Sequence, residues 1–401
     1  MQPRSLYVHV PFCARRCFYC DFAVEATREP PIADWIEAVG HEIALTAADR
    51  GWAEPLVLET LYVGGGTPSL LGSGAMDALL GALAPFARLG AGAEWTCEAN
   101  PESFTPELAA DWRAAGVDRI SLGAQTFSPE ALRWMGRLHG PDGPARAVTA
   151  ARVAGIDNIS IDLIFGLPDH LERSWSEDLG RALELEPAHV SLYGLTAEAG
   201  APLGRRVAEG RERLAGEDRY ADEYLFAHQR LTEAGYEHYE VSNFAQPGAR
   251  SRHNQVYWTG EPYAALGPGA HAFYPPLRRW NLRSWTAYRD SVVTGTLPLD
   301  DEERIGQETG SMEAIWLGLR TDAGYRTSRL SQAGRERIAG WQRQGLAKLG
   351  DGRVWLTPEG WLLLDRLAVE LAGADDGAVP RPAPRIDAAE PLVQISTTSN
   401  L

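Results

Sequence analysis

Residues 5–20 read SLYVHVPFCARRCFYC and contain the two features from which we infer the fold class. The first six residues alternate between aliphatic and polar or aromatic side chains, which predicts a β-strand. Three cysteines, Cys13, Cys17 and Cys20, follow in a CxxxCxxC pattern. Functional side chains directly after a strand are typical of α/β barrels, where chemistry gathers at the carboxyl ends of the strands.

The residues that follow repeat the same unit, a short apolar run and then a helical pattern. Five more strands are predicted, at residues 59–63, 94–98, 119–122, 158–164 and 189–195. Strand–helix alternation of this kind predicts a parallel sheet with crossover helices. Six units are fewer than the eight of a closed barrel. We therefore predict an α/β fold, an incomplete (β/α)6 TIM-like barrel over residues 1–197, whose open side can admit a large ligand.

After the sixth strand the pattern changes, and three further segments are predicted. Residues 198–299 would extend the barrel, and they include an aromatic- and glycine-rich stretch, 243–285, with little periodicity. Residues 300–373 are mostly helical, with a hairpin that turns at Asp351-Gly352. They predict a C-terminal α+β domain with a winged-helix-like module. Residues 374–401 are rich in Ala, Pro, Asp and Gly, so we expect a disordered tail.

Composition and charge disfavour several classes of function. The net charge is −16, which disfavours nucleic-acid binding because an acidic surface repels phosphate. Lys348 is the only lysine, and its surroundings suit neither a phosphate-binding loop nor a pyridoxal Schiff base. The N-terminus lacks a signal-peptide pattern and no apolar run reaches membrane-spanning length, so we expect a cytoplasmic protein. Three of the four cysteines lie within eight residues, which indicates metal binding rather than a disulfide framework.

Thiolates at this spacing favour an iron–sulfur cluster. A [4Fe-4S] cluster has four irons, whereas Cys13, Cys17 and Cys20 supply three thiolates, so one iron is left for an exchangeable ligand. The amino and carboxylate groups of S-adenosylmethionine can chelate that iron. Two alternatives stay open: a structural zinc site with His9 as a fourth ligand, and a group of unrelated buried thiols. Cys97, in the middle of a predicted strand, is interpreted as a core residue.

Further residues carry a resemblance to a known superfamily. Tyr19 precedes the last cysteine of the run, and VGGGTPS, residues 63–69, follows the second strand. Both features are similar to the cysteine and glycine motifs of the radical S-adenosylmethionine superfamily. Polar residues near the ends of later strands resemble its coproporphyrinogen III oxidase-like branch, up to about residue 371. The resemblance implies that S-adenosylmethionine contacts Tyr7, Tyr19, Gly65, Gly66, Thr67, Glu98, Gln125, Arg137 and Asp162. Glu98 would bind the ribose, and Arg137 a carboxylate or nearby charge.

Within this branch, two features differ from the oxygen-independent coproporphyrinogen dehydrogenases. Those enzymes extend the cysteine motif to CxxxCxxCxC, whereas the extra position here is Phe22. They also carry a long arm before the cysteines, whereas 12 residues precede Cys13 in this sequence. Both differences are similar to the HemW-type heme chaperones.

An HNxxYW block at residues 253–258 also resembles that group. His253 would be an axial ligand of heme iron, because neutral imidazole is a common heme ligand. Tyr257 and Trp258 would stack on the porphyrin. The alternative is that the block packs two domains together. His271 is a second polar candidate.

Two functions from different classes follow from the resemblance. In the first, the protein binds heme and transfers it to acceptor proteins, with membrane-associated respiratory proteins as candidate acceptors, while the cluster and S-adenosylmethionine control its state. In the second, it is a radical enzyme that oxidatively decarboxylates the propionates of coproporphyrinogen III. Phe22 and the short segment before the cysteines favour the first function. Whether S-adenosylmethionine is cleaved or only bound stays open, as does a homodimer.

Overall fold

The computed structural model describes residues 2–375, so the predicted tail lies outside the described residues from 376 onward. The strands of the described part differ widely in length, from two residues to 13. In chain order they are β1 Ser5–Val10, β2 Phe12–Cys13, β3 Glu25–Ala26, β4 Leu56–Gly65, β5 Ala87–Ala99, β6 Arg119–Gln125, β7 Asn158–Phe165, β8 His189–Gly194, β9 Glu237–Glu240, β10 Asn243–Ala245, β11 Ala264–Leu266, β12 His271–Tyr274, β13 Leu277–Asn281, β14 Leu299–Arg304, β15 Tyr325–Arg326, β16 Ala347–Gly350 and β17 Arg353–Leu356.

The helices begin and end with clear local signals. In α3, for example, the Thr105 side chain accepts a hydrogen bond from the Leu108 amide, Pro106 occupies the first turn and Gly116 closes the end in a left-handed conformation. In chain order the α-helices are α1 Ile32–Arg50, α2 Ala75–Leu83, α3 Pro106–Ala115, α4 Pro129–Met135, α5 Gly143–Val153, α6 Trp175–Glu184, α7 Pro202–Ala208, α8 Glu217–Glu233, α9 Arg252–Thr259, α10 Trp285–Val293, α11 Gln307–Arg320, α12 Gln332–Arg343, α13 Pro358–Trp361 and α14 Leu364–Asp375. Short 3-10 helices lie at Pro68–Leu71 and Thr327–Arg329.

Nine strands form one sheet in the order β11-β1-β4-β5-β6-β7-β8-β10-β9. The strands from β11 to β8 pair in parallel, and the crossover segments carry helices, as strand–helix alternation predicts. All six residues of β1 are buried, because both faces of a parallel strand are covered. The predicted α/β class with six barrel units is confirmed.

The segment after β8 extends the sheet at both edges. β11 adds a parallel strand beside β1, and β10 and β9 add an antiparallel pair beside β8. Residues 243–285, which show little periodicity in the sequence, contain four short strands and one helix. Elements of three to eight residues are too short to display a period. The predicted domain boundaries stay predictions.

A buried carboxylate fastens this extension to the barrel. Glu42 of α1 accepts hydrogen bonds from the Gly267 amide at 2.7 Å, from the Asn281 amide group at 2.5 Å and from the Tyr288 hydroxyl at 2.6 Å. Burial raises the pKa of Glu42 to about 7, although each of these donors lowers it. Three donors from the extension therefore meet on one acidic side chain of the barrel.

The C-terminal part has the element order of a winged helix. Helix α11, strand β15, helix α12 and the hairpin β16–β17 follow one another, and the three strands form a small sheet in the order β15-β17-β16. The turn of the hairpin falls at Asp351-Gly352, as predicted. A C-terminal α+β unit is therefore present.

Strand β14 was not predicted, because the segment from about residue 300 was expected to be mostly helical. This strand reads LDDEER, and its charged side chains conceal the strand from a pattern based on hydrophobicity. Pairing with β13 explains why this charged segment forms a strand, because Arg278 lies opposite Glu303 and Arg279 lies opposite Glu302. Opposite charges across a ladder stabilise the pairing of an exposed strand.

Helices α1 to α14 pack around these sheets. None of them, within the part of the chain that the structure describes, combines the length and the apolar character that a bilayer crossing requires.

Candidate functional site

The three motif cysteines line one cavity at the carboxyl ends of the parallel strands. Cys13 ends β2, and the loop that holds Cys17 and Cys20 continues to β3, which pairs with β2. The cavity is also lined by residues from the ends of β4, β5, β6 and β7, and we call it the cysteine cavity. The predicted site residues that line it are Cys13, Cys17, Cys20, Tyr19, Gly65, Gly66, Thr67, Glu98, Gln125, Arg137 and Asp162.

Burial keeps two thiols of this loop protonated in the absence of a metal. Burial raises the pKa of Cys13 to about 12 and that of Cys20 to about 11. Without a metal, both groups are thiols at neutral pH, and cluster binding would release their protons. Within residues 2–375, no three His, Cys, Asp or Glu side chains converge as ligands of a single metal ion. A cluster places less demand on convergence, because each thiolate binds a different iron.

A network of polar side chains holds the cysteine loop against the strands. The Arg137 guanidinium donates to the Asn100 side-chain oxygen at 2.6 Å and to the Gly123 carbonyl at 2.7 Å. The Asn100 amide group donates to the Thr67 hydroxyl at 3.1 Å, and that hydroxyl donates to the Cys13 sulfur at 3.4 Å. Asn100 is thus a site residue that we did not predict, although it lies in the EANP block beside Glu98.

The glycine motif has a steric explanation. Gly65 has φ +101°, and a Cβ atom added there would lie 2.3 Å from the His9 ring. A Cβ atom on Gly66 would lie 2.5 Å from the Phe12 carbonyl oxygen. These positions let the backbone of the β4 end approach the cysteine loop, which any larger residue would prevent.

Glu98 is fixed beneath this motif. Its carboxylate accepts hydrogen bonds from the Gly65 amide at 2.9 Å and from the Tyr62 hydroxyl at 2.8 Å. The pKa of Glu98 is raised to about 7, chiefly by burial and in part by the charge of Asp162, although both hydrogen bonds lower it. Tyr62 is a second site residue that we did not predict, because an aromatic residue in a strand gives no signal of its own.

Asp162 lines the same cavity as Glu98. It accepts hydrogen bonds from the Ser121 hydroxyl at 3.0 Å and from the Ser160 hydroxyl at 3.2 Å. Burial raises its pKa above the usual range for an aspartate, while these hydroxyls lower it. Two acidic side chains in one buried cavity are costly unless a polar ligand binds them.

Gln125 has two features that are typical of a residue that binds a ligand. It has φ +66°, a left-handed conformation that residues other than glycine seldom adopt, and its buried side-chain oxygen has no hydrogen-bond partner in the described structure. Such strain with an unsatisfied acceptor is typical of a binding site. One cavity thus contains three thiols, the glycine motif and an acceptor without a hydrogen-bond partner in the described structure. These features fit a cluster with a bound polar cofactor.

Tyr7 and His9 lie behind the cavity instead of lining it. The His9 ring contacts the Tyr7 hydroxyl at 3.0 Å through Nδ1 and the Ala23 carbonyl at 3.0 Å through Nε2. Because the carbonyl can only accept, Nε2 carries the proton and Nδ1 accepts from Tyr7. Both ring nitrogens are used, so His9 has no free nitrogen for the zinc site considered as an alternative. Tyr7 is expected to act on the cofactor only through His9, which its hydroxyl contacts.

The HNxxYW block forms most of helix α9, which packs beside β4. Glu94 caps this helix, since its two carboxylate oxygens accept the amides of Arg252 and His253, each at 3.0 Å. The buried His253 ring contacts the Thr60 hydroxyl at 2.7 Å and the Tyr257 hydroxyl at 2.9 Å. Burial lowers the pKa of His253 to about 3, so the ring is neutral. Ligation of iron by His253 would require one of these contacts to break.

Tyr257 and Trp258 line a second cavity, of about 380 Å³, on the other side of α9. Six of the residues that line it are aromatic, because Tyr263, Phe273, Trp316 and Tyr325 also line it. We call it the aromatic cleft. The cleft lies between α9, the β12–β14 sheet and the winged-helix-like part. His271 stacks on Trp280, with ring centroids 5.6 Å apart, and is absent from the described lining of both cavities.

Comparison with known proteins defines the class. Residues 7–182 match the model of the Radical SAM superfamily. The solved structure of coproporphyrinogen III oxidase (HemN) from Escherichia coli aligns with a TM-score of 0.78, over 92% of this chain and 90% of that one, at 22% identity, which shows a shared fold. The fold and the cysteine cavity are those of a radical S-adenosylmethionine protein. Membership of this superfamily implies a [4Fe-4S] cluster and S-adenosylmethionine.

Curated relatives narrow the class to a family. The heme chaperone HemW of Mycobacterium tuberculosis is 37% identical over 375 residues, which cover 93% of this chain and 95% of that protein. The heme chaperone HemW of Escherichia coli is 39% identical over 272 residues, 68% of this chain and 70% of its own length. The chain belongs to the HemW family of radical S-adenosylmethionine proteins.

Proposed function

We propose that this protein is a heme chaperone, which binds heme and transfers it to acceptor proteins in the cytoplasm or at the membrane surface. The observation that carries the proposal is the presence of two separate sites. The cysteine cavity holds the features of a cluster site, whereas the aromatic cleft is lined by Tyr257 and Trp258 of the block that resembles heme chaperones. A relative of which the chain covers 95%, from Mycobacterium tuberculosis, bears the name heme chaperone.

The residues of the cysteine cavity are assigned to the cluster and its cofactor. Cys13, Cys17 and Cys20 would bind three irons of a [4Fe-4S] cluster, and S-adenosylmethionine would bind the fourth. When bound, the cluster and S-adenosylmethionine would supply one-electron chemistry, or they would control the state in which heme is released. Thr67 donates to Cys13 and Arg137 donates to Cys17, while Asn100 links Thr67 with Arg137. Glu98 and Asp162 would present carboxylates to the hydroxyl groups of a ligand.

The HNxxYW block is assigned to heme. Tyr257 and Trp258 would contact the macrocycle, since both line the aromatic cleft. His253 lies one layer behind and orients the Tyr257 hydroxyl. Its role as an axial ligand stays a prediction, which His253→Ala tests: an unchanged heme spectrum would remove His253 from the ligand set.

A coproporphyrinogen dehydrogenase is the second candidate, favoured by the fold shared with HemN. Phe22 argues against it, because it lines the cysteine cavity at the position where those enzymes are expected to carry a further cysteine.

Anaerobically reconstituted protein distinguishes the two. We expect stoichiometric heme binding, transfer of that heme to an apo-cytochrome, and no consumption of coproporphyrinogen III. Turnover of coproporphyrinogen III without heme transfer would replace the first function with the second.

A further inference from the structure

Four arginines line the aromatic cleft of a strongly acidic protein. Arg326 and Arg353 lie directly opposite each other in the pairing of β15 with β17. Like charges at directly opposed positions destabilise a ladder unless something neutralises them. Arg329, at the end of the adjoining 3-10 helix, adds a third charge, and Arg278 reaches the cleft from β13.

These arginines differ in whether the protein neutralises them. Arg278 forms ion pairs with Glu303 at 3.3 Å and Glu313 at 3.0 Å. Arg353 donates to the main-chain carbonyls of Ala323 and Gly324, at 2.9 Å and 3.0 Å. Across residues 2–375, Arg326, Arg329 and Arg353 form no ion pair with a carboxylate. Three charges thus remain for an anion.

The aromatic walls beside these charges are rigidly held. The Arg320 guanidinium lies 4.2 Å from the ring centre of Trp258 and 5.3 Å from that of Trp316, and it pairs with the buried Glu240 at 3.0 Å. The indole N–H of Trp258 is buried and has no partner in the described structure. Flat, fixed aromatic faces and a spare donor suit a flat ligand.

We propose that the aromatic cleft binds a tetrapyrrole dicarboxylate, with the macrocycle against Trp258 and Trp316 and the propionates on Arg326, Arg329 and Arg353. Arginine is the residue best suited to carboxylates, because its planar group forms two parallel hydrogen bonds. The cleft volume of about 380 Å³ lies within the range of roughly 300–1,000 Å³ for small-molecule sites. This inference rests on the proposed heme function, which already places the macrocycle in the cleft, and it adds the arginines that recognise the propionates of the ligand.

The test uses the full-length, cluster-reconstituted protein and two probes, hemin and hemin dimethyl ester. The Arg326→Gln/Arg329→Gln double variant removes two of the unpaired charges. The control is Arg337→Gln/Arg343→Gln, which makes the same charge change on α12 at residues that do not line the cleft. Iron content and thermal unfolding verify that each variant is folded.

We expect the cleft variant to bind hemin about ten-fold more weakly or worse, because charge-assisted hydrogen bonds are lost. The control should bind as the wild type does, and the ester should bind the wild type and the cleft variant equally weakly. Equal hemin affinity in the cleft variant and the wild type, or equal affinity of the wild type for hemin and its ester, would overturn the inference while the heme function stands. A wild type that binds no hemin would overturn both.

Discussion

The cysteine cavity and the aromatic cleft differ in how the chain builds them. The cavity takes its lining from loops at the carboxyl ends of consecutive parallel strands, and most of its polar groups already have protein partners. The cleft joins residues from 257 to 353, and three of its arginines form no ion pair with a carboxylate among the residues that the structure describes. The cavity is therefore preorganised around a resident cofactor, whereas the cleft is incomplete until an anionic ligand arrives.

Loss of one cysteine should have the largest effect and should leave the cleft intact. For Cys17→Ala we expect iron content to fall from about four atoms per chain to almost none, because one thiolate of the cluster is gone. The matched control is Cys97→Ala, a buried thiol that contacts Met76 at 3.6 Å. Iron and sulfide assays after reconstitution measure the outcome. Full iron in Cys17→Ala, or loss of iron in Cys97→Ala, would contradict the assignment.

Gly65→Ala should disrupt the cavity from its strand side. The new Cβ atom would meet the His9 ring, which is itself held at both nitrogens, and the residue would keep a φ of +101°. We expect a loss of about 3 kcal/mol or more in unfolding free energy and no measurable S-adenosylmethionine binding.

Gly81→Ala provides the comparison for that variant. Gly81 lies in α2 with open space around it, so alanine there should be neutral or stabilise the fold by about 1 kcal/mol. Chemical denaturation and calorimetry measure both variants. Similar stability of the two would show that the close approach at Gly65 is not required.

Glu42, which accepts three hydrogen bonds from the extension, should make the stability of the junction between barrel and extension depend on pH. Its folded pKa of about 7 exceeds the usual value of 4.5, so the folded state holds a proton that the unfolded chain releases. The contribution of Glu42 to the unfolding free energy is complete below pH 4.5. It falls by roughly 3 kcal/mol as the pH rises to about 7. Compared with the wild type, Glu42→Gln should therefore gain relative stability between pH 6 and pH 8. Thermal unfolding at both pH values measures this; a difference independent of pH would disprove it.

The smallest effect tests whether the two regions act separately. The Tyr62 hydroxyl donates to Glu98 in the cysteine cavity, while the Tyr62 ring lies 5.1 Å from the His253 ring behind the cleft. Tyr62→Phe should weaken S-adenosylmethionine binding about five-fold, since one hydrogen bond of about 1 kcal/mol is removed. Hemin affinity should stay unchanged.

Tyr288→Phe is the matched control, because its hydroxyl contacts Glu42 and does not line either described cavity. Calorimetric titration with each ligand measures both variants. A parallel loss of hemin affinity in Tyr62→Phe would show that the two regions form one coupled site.

The sequence predicts the cavity better than the cleft, for a physical reason. The cysteines and glycines of the cavity lie in short contiguous runs, and β1 has the predicted bounds because a local pattern defines it. The pairing of Arg326 with Arg353 depends on the register of β15 with β17, which no local pattern fixes. The left-handed conformation of Gln125 and the charged strand β14 were missed because tertiary contacts impose them.

The cysteine loop has a further consequence for biosynthesis. The Phe18 carbonyl accepts the Leu203 amide at 2.8 Å, and the Asp21 carbonyl accepts the Arg283 guanidinium. Because synthesis proceeds from the N-terminus, the three cysteines leave the ribosome long before either of these residues is made. A nascent chain would carry its thiols on an unfastened loop, open to oxidation or to the wrong metal. The loop therefore reaches its final conformation only after residue 283 has been translated and folded into place.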